Sequence, residues 1–276
     1  MSFWLSILAF DIKLLYKIVM SNSKKPVPFT KDEIIKMKRV CKMAAQVLNH
    51  TAKFVKPGIT TLELDRIADD YTRSIGGESA CIGYHGYPNA TCISVNQVVC
   101  HGLPSNYIVK DGDILNIDVT VKKDGFFGDT SKTCTVGHVS PTALDLVDAA
   151  YQAMMTGIAA VKPNGYTGDI GFETNKYVTR RGYTTVKEIG GHGIGKIFHM
   201  DPFVPAFGKR GKGEKIIPWT CFTVEPMVNE GAEEFIEKSI PNSDIKYYET
   251  IDGKLSAQFE HTILITDTGY EILTVE

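Results

Sequence analysis

Five ionisable residues spread over 143 positions, Asp118, Asp129, His192, Glu225 and Glu260, have the types and surroundings of metal ligands. Each lies in a short apolar or glycine-rich stretch: Asn116-Ile117-Asp118-Val119, Gly128-Asp129-Thr130, Gly190-Gly191-His192-Gly193, Thr223-Val224-Glu225-Pro226 and Phe259-Glu260-His261. A charged side chain in such a setting is costly unless something binds it. Four carboxylates and one imidazole are too negative to share one spot without cations. Two divalent ions would neutralise them. Hard oxygen donors with a single imidazole suit Mn, Fe(II), Co or Zn better than a closed structural zinc site. Two such ions about 3.5–4 Å apart can activate a water and polarise a carbonyl, which is hydrolytic chemistry.

The first two ligands flank Lys122-Lys123-Asp124-Gly125, a hairpin turn signal. A turn centred between 123 and 124 sets Asp118 opposite Asp129, whereas a two-residue Asp-Gly turn sets them diagonally. Either register keeps both on one face of the sheet. Like charges facing each other across a hairpin are unfavourable without a bridging cation. His192 is expected in a glycine loop that folds sharply or lets the backbone approach a ligand, and His199 follows seven residues later. Neither the lysine spacing of a P-loop nor a dinucleotide fingerprint is present. Glu260 shares strand parity with Thr262, which leaves Phe259 and Ile263 on the other face. His101, in Val99-Cys100-His101-Gly102, sits where a strand gives way to a turn.

These residues need elements to carry them. Thr30 and Glu33 have the spacing of a capping box, with Phe29 and Ile34 as a hydrophobic staple. Ile34, Met37, Cys41, Ala44 and Leu48 recur at helical spacing, and the helix is expected to run until Lys56-Pro57-Gly58. Thr60 and Glu63 open a second helix that runs toward Gly76-Gly77. A similar passage recurs 106 positions on: Ala44, Gln46, Val55, Lys56, Pro57, Thr61, Tyr71 and Gly76 are matched by Ala150, Gln152, Val161, Lys162, Pro163, Thr167, Tyr177 and Gly182. We read this as a duplicated helix–helix–sheet unit whose halves would leave a site between them. Alternation through Leu115, Ile117, Val119 and Val121, with the segments 222–224 and 259–266, supplies strands. The fold class is α+β, with antiparallel hairpins and helices covering one face.

The net charge of −2 gives no basic field for direct nucleic-acid readout or an acidic membrane surface. Six cysteines (Cys41, Cys81, Cys92, Cys100, Cys134 and Cys221) include no C-x-x-C pair, which fits packed thiols in a reduced, cytoplasmic setting. Residues 1–29 are expected to form an N-terminal extension, non-native or disordered, with Met20 as an alternative start. A docked or membrane-surface helix is the competing reading. The apolar run Phe3 to Phe10 is too short for a membrane span, which needs about 20 residues, and lacks the features of a signal peptide. Residues 30–276 are expected to be one catalytic domain with halves at about 30–139 and 140–276.

Eight ordered strings resemble type I methionine aminopeptidases of the pita-bread fold, over roughly residues 30–275. They are Gly83-Tyr84-His85-Gly86-Tyr87-Pro88, Val99-Cys100-His101-Gly102, Asn116-Ile117-Asp118-Val119-Thr120, Gly128-Asp129-Thr130-Ser131-Lys132, Gly191-His192-Gly193-Ile194-Gly195, Phe198-His199, Thr223-Val224-Glu225-Pro226-Met227-Val228-Asn229 and Ser256-Ala257-Gln258-Phe259-Glu260-His261-Thr262. The resemblance implies a metal-dependent exopeptidase that removes initiator methionine from nascent polypeptide N-termini, preferring a small second residue. It implies that Asp118, Asp129, His192, Glu225 and Glu260 hold two divalent ions, with Asp129 and Glu260 bridging both. It also implies that His101 and His199 touch substrate near the scissile amide. His199 is suited to stabilise the oxyanion and Glu225 to handle protons. Cys81, Tyr84, Tyr87, Cys92 and Phe198 would form the methionine pocket, apt for a thioether.

One departure stands out. The family pocket often has a tryptophan upstream of the last ligand, where this chain has Lys246-Tyr247-Tyr248. Either tyrosine closes the wall or the wall differs, with Trp219 a poorer substitute. Prolidases and proline-specific aminopeptidases share the ligand set but normally carry a large additional N-terminal domain, for which the stretch before residue 30 leaves no room here. Type II methionine aminopeptidases insert a helical subdomain where only 25 residues separate His199 from Glu225 here. The expected enzyme is a monomer without membrane attachment and with, at most, transient ribosome association.

Overall fold

The computed structural model describes residues 25–276, so the expectations for Phe3–Phe10 and Met20 lie outside the described residues. Helix α1 (Lys31–Ala52) begins with the anticipated capping box, in which Glu33 N–H donates to Thr30 Oγ1 at 3.3 Å and Thr30 N–H to Glu33 Oε2 at 2.8 Å. Phe29 and Ile34 pack on the adjoining core as a staple would. The helix stops four residues before Lys56, earlier than expected. Lys53, Phe54 and Val55 donate instead to the carbonyls of His50, Thr51 and Ala52, a tightened exit. Lys56 precedes Pro57 and cannot comfortably stay helical, so the chain leaves the α conformation ahead of it.

Helix α2 (Thr61–Ser74) repeats the box, with Glu63 N–H on Thr60 Oγ1 at 3.1 Å. Five strands follow: β1 (Glu78–Ser79), β2 (Cys92–Val95), β3 (Val98–Cys100), β4 (Ile114–Lys123) and β5 (Phe126–Thr135). The second helix pair is α3 (Pro141–Ala159) and α4 (Thr167–Arg180). Helices α2 and α4 are both 14 residues long and begin at Thr61 and Thr167, the spacing of the sequence echo. The remaining strands are β6 (Thr184–Thr185), β7 (Gly190–Ile194), β8 (Met200–Pro205), β9 (Cys221–Val224), β10 (Met227–Asn229), β11 (Phe235–Ser239), β12 (Lys246–Thr250), β13 (Ser256–Gln258), β14 (Glu260–Ile265) and β15 (Tyr270–Ile272).

A nine-stranded antiparallel sheet runs β1-β4-β5-β14-β9-β7-β8, with β2 added on β4 and β15 on β14. Strands from the two halves meet at the β5–β14 seam. Two three-stranded sheets, β13-β10-β6 and β11-β12-β3, flank it. One face of the large sheet packs on the helices. Leu115, Ile117, Val119 and Val121 of β4 meet Met37, Val40, Cys41 and Ala44 of α1, while Phe222, Val224, Ile263 and Ile265 meet Met154 and Ile158 of α3. Each fully buried aliphatic of this kind contributes roughly 1.5–3 kcal/mol. Helix α1 lies so close on β5 that a Cβ at Gly128 would stand 2.7 Å from Cys41 N. The helix-facing side is therefore apolar, and polar side chains of alternate parity are left on the opposite face.

Candidate metal centre

The β4–β5 turn is the two-residue version, with Asp124 and Gly125 both at positive φ (51° and 78°), as a type I′ hairpin needs. Lys123 therefore pairs with Phe126, Thr120 with Asp129, and Asp118 with Ser131. The two aspartates are diagonal neighbours on one face. Across the seam Glu260 pairs with Ser131, and on the next strand Thr262 pairs with Thr223. His192 N–H donates to Thr223 Oγ1 at 2.9 Å, which continues the row onto β7. Two neighbouring rows thus cross the sheet, one holding Thr120, Asp129, Thr262, Thr223 and His192, the other Asp118, Ser131, Glu260 and Glu225. Antiparallel register alone assembles residues far apart in sequence.

Ligand atoms of Asp129, His192 and Glu260 lie within 4.8 Å of one another, and all three residues are buried. His192 Nε2 is 3.7 Å from Asp129 Oδ2 and 3.6 Å from Glu225 Oε1. Asp118 and Glu225 are only partly covered, so the cluster opens on one side. His192 Nδ1 is 3.1 Å from the Gly193 carbonyl, which can only accept, so the bond places the proton on Nδ1. The Nε2 lone pair then faces two carboxylates. Burial drives the His192 pKa down to about 4, so at neutral pH the ring is uncharged and offers its neighbours no cation. Such a meeting of lone pairs is repulsive unless a positive ion lies among them.

The carboxylates carry the same signature. Burial, and then the charges of the other carboxylates, holds Asp118 and Glu260 well above the usual range. Burial raises Asp129 and Glu225 as well, opposed by hydrogen bonds from Thr120 and from Thr223 respectively. Among the described residues Glu260 Oε1 is buried with no hydrogen-bond partner. A buried carboxylate oxygen left unpaired is expensive, and a divalent cation is the ligand such an oxygen fits.

An apolar cluster adjoins this centre. Cys81, Tyr87, Cys92, Phe198 and Ile240 are buried together, with Ala80, Tyr84, Leu103, Phe127, Ile245 and Tyr247 packed around them. All five expected pocket residues are therefore in one place. This apolar cluster is tied to the candidate metal cluster by register, because Cys92 on β2 pairs with Asp118 on β4. Tyr247 belongs to this wall, whereas Tyr248 points into a different cluster and meets Phe235 edge-on at 5.0 Å. Trp219 is occupied elsewhere, its indole N–H donating to Asp267 Oδ1 at 2.9 Å.

His199 stands between cluster and pocket, its ring 4.1 Å from those of His192 and Phe198 and its Nδ1 2.9 Å from Tyr84 Oη. Burial and the nearby imidazoles hold its pKa well below the ordinary value. His101, at φ 56°, has its Nδ1 3.1 Å from the Lys246 carbonyl, and burial lowers its pKa too.

A model of metallopeptidase family M24 matches residues 35–267. The chain belongs to metallopeptidase family M24. Its relatives within M24 include methionine aminopeptidase A of Synechocystis, 46% identical over 244 residues covering 88% of this chain and 95% of that protein. Methionine aminopeptidase of Escherichia coli strain K12 is 45% identical over 248 residues, covering 89% and 92%. The crystal structure of methionine aminopeptidase from Rickettsia prowazekii superposes with a TM-score of 0.88 at 39% identity, covering 91% of this chain and all of that one. The expected pita-bread architecture is therefore that of this M24 chain, and the enzyme is a hydrolase.

Two features of the M24 site differ from what the sequence suggested or escaped it. His192 lies in strand β7 and not in a loop. Its glycines serve strand packing, since a Cβ at Gly191 or Gly193 would collide with the backbone carbonyls of Thr223 or Asp201. The polar residues that hold the candidate ligands also escape a reading of the sequence. Thr120 Oγ1 donates to Asp129 Oδ1 at 2.8 Å, Thr223 Oγ1 to Glu225 Oε1 at 2.7 Å, Gln258 Nε2 to Glu225 Oε2 at 3.2 Å and Thr262 Oγ1 to the Asp129 carbonyl at 2.7 Å. Three of these hydroxyls sit two positions from a ligand, at 118/120, 223/225 and 260/262, so the parity that grouped the ligands would have found them.

Proposed function

We propose that this chain is a methionine aminopeptidase acting on nascent polypeptide N-termini with a small second residue, through two divalent ions held by Asp118, Asp129, His192, Glu225 and Glu260. The observation that carries the reading is the adjacency of the Asp129–His192–Glu260 cluster to an apolar cluster that contains two thiols, with Cys92 paired to Asp118 and the Phe198 ring edge-on to His192. The donor set fits the ions: an unpaired buried Glu260 oxygen and a neutral imidazole turned on carboxylates both call for positive charge. Asp129 and Glu260, at the seam between the halves, would hold the ions together with Asp118, His192 and Glu225. When bound, the ions lower the pKa of a water and polarise the scissile carbonyl.

The chain's own groups do the rest. Cys81, Tyr84, Tyr87, Cys92 and Phe198, with Tyr247 closing the wall, take the thioether side chain and exclude water from it. Glu225, whose carboxylate is held by Thr223 and Gln258 and whose pKa burial raises, is suited to take a proton and pass it to the leaving amine. Tyr84, a phenol that burial pushes up to about 12, stays protonated and donates to His199 Nδ1. The His199 Nε2–H is then the donor for the developing oxyanion. His101 Nδ1–H donates a hydrogen bond to the Lys246 carbonyl, which leaves Nε2 to accept from the substrate near the scissile amide.

We infer a cytoplasmic monomer that meets chains at the ribosome, and the six free thiols suit a reduced compartment. The native ion is Mn, Fe(II), Co or Zn, selected by cellular supply more than by this donor set. The test is release of methionine from Met-Ala-Ser by protein reconstituted with each ion under reducing conditions, with Leu-Ala-Ser as control. Methionine release and an inert control are expected. No release with any ion would favour a non-catalytic binding role.

A further inference from the structure

Helix α2 carries Thr61 and Asp65 four residues apart, hence on one face. Neither lies in the metal cluster or the pocket lining. Asp65 is buried, and it accepts at Oδ1 from Ala90 N–H (3.0 Å), Thr91 N–H (2.9 Å) and Thr91 Oγ1 (2.8 Å), and at Oδ2 from Asn89 Nδ2 (2.8 Å). Among the described residues no lysine or arginine pairs with it. A carboxylate without a cation is kept in the interior only by filling its lone pairs in this way. Burial raises its pKa, and the same four bonds oppose that rise.

The segment it grips carries two pocket residues at its ends. Tyr87 precedes it and Cys92 follows it, and both line the apolar cluster. Tyr87 Oη spans to the carbonyls of Thr91 (3.2 Å) and Gly102 (3.0 Å), which joins the gripped segment to the one that follows His101. Thr61 holds that second segment. Its hydroxyl donates to the Ser105 carbonyl at 3.0 Å and accepts from Ser105 N–H at 2.9 Å, two residues beyond the pocket residue Leu103. One helix face therefore anchors two opposing stretches of the pocket rim that no sheet ladder fixes.

We propose that Asp65, supported by Thr61, is a positioning residue that sets the width of the apolar pocket and with it the preference for an unbranched thioether side chain. This rests on reading that pocket as the methionine site. Losing the carboxylate lets residues 89–91 relax, so Tyr87 loses its fixed separation from Leu103, while Cys92 stays held by its pairing with Asp118. The metal ligands, held by β-ladders, keep their places. Selectivity and KM should change while the chemical step persists.

The experiment compares wild type with Asp65→Ala, Asp65→Asn and Thr91→Val, all metal-loaded. KM and kcat are measured for methionyl, norleucyl and leucyl peptides, and the affinity for free L-methionine by calorimetry. For Asp65→Ala, KM for the methionyl peptide is expected to rise about tenfold with kcat within about threefold, and methionine affinity to fall in parallel. The preference for methionyl over leucyl peptide should shrink, with metal content unchanged. Asp65→Asn keeps one acceptor oxygen but sets an amide against that of Asn89, so it should fall between wild type and alanine. If the alanine variant fails to fold, Asp65→Asn and Thr91→Val carry the test, the latter with an expected rise in KM of about two- to threefold. Unchanged KM and selectivity, or a loss of kcat in step with lost metal, would overturn the proposal. A wild type that binds methionine but releases none would defeat the aminopeptidase reading, while the affinities would still test the clamp. A wild type that binds no methionine would defeat both.

Discussion

The metal cluster and the apolar pocket touch each other yet are positioned by different means. The five proposed ligands come from β4, β5, β7, β14 and the end of β9, and ladder register sets where each side chain points. The pocket draws on loops and sheet edges: a short turn at Tyr84–Gly86, the strand-less Tyr87, edge strand β2 and Tyr247 on β12 of a separate sheet. Its walls are joined by side-chain bonds such as Tyr87 Oη to Gly102 and His199 Nδ1 to Tyr84. The contrast teaches that one enzyme can hold its chemistry rigidly while leaving specificity to a part that is easier to alter.

Changes at the cluster should therefore abolish turnover without disturbing the fold, since ladder and helix packing survive them. Asp129→Asn or Glu260→Gln is expected to cost at least about a thousandfold in kcat and to lower bound metal, with circular dichroism and melting little altered. Wild-type metal content and turnover in either variant would remove these residues from the centre. At the pocket the effect should be smaller and of another kind. Tyr247→Ala is expected to raise KM for a methionyl peptide about tenfold while sparing kcat, because it deletes apolar contact and no reacting group. A fall in kcat with KM unchanged would break the distinction between the two regions.

The smallest effect concerns stability and only the cluster. In metal-free protein, burial holds Asp129 at about 7 and Glu225 at about 8, against ordinary values of 3.8 and 4.5. The folded chain then binds more protons than the unfolded chain between those limits, so its stability falls as pH rises through them. Below pH 6.5 the lowered imidazole pKa values of His192, His199 and His101 act in the opposite sense. Melting temperature without metal should therefore drop from about pH 6.5 to about pH 8, and added Mn²⁺ should weaken that slope by displacing those protons. A flat profile in the metal-free state would mean that these carboxylates are not gathered as described.

That physical difference also explains what the sequence could reveal. Parity in the Asp118–Asp129 hairpin grouped the two aspartates whichever turn was used, and the 106-residue echo anticipated two helix pairs whose second helices begin at Thr61 and Thr167. Both signals are periodic, and periodicity survives in a sequence. The roles of Thr120 and Thr223 were within reach of the same parity but look like ordinary strand threonines until the register is known. The choice between Tyr247 and Tyr248 was beyond it. Strand parity puts the two on opposite faces without saying which face meets the pocket, and that depends on how sheet β11-β12-β3 packs. Asp65 was hidden for a similar reason, since its partners Asn89, Ala90 and Thr91 form a loop with no repeat to read.

The central claim is that this cluster binds divalent ions that activity requires. Calorimetric titration of the metal-free protein with Mn²⁺, with methionine release followed in the same samples, tests it most directly. Two ions per chain are predicted at saturation, with activity rising as they fill and both binding and activity lost in Glu260→Gln. Full activity in rigorously metal-free protein, or Mn²⁺ binding that Glu260→Gln leaves untouched, would contradict it.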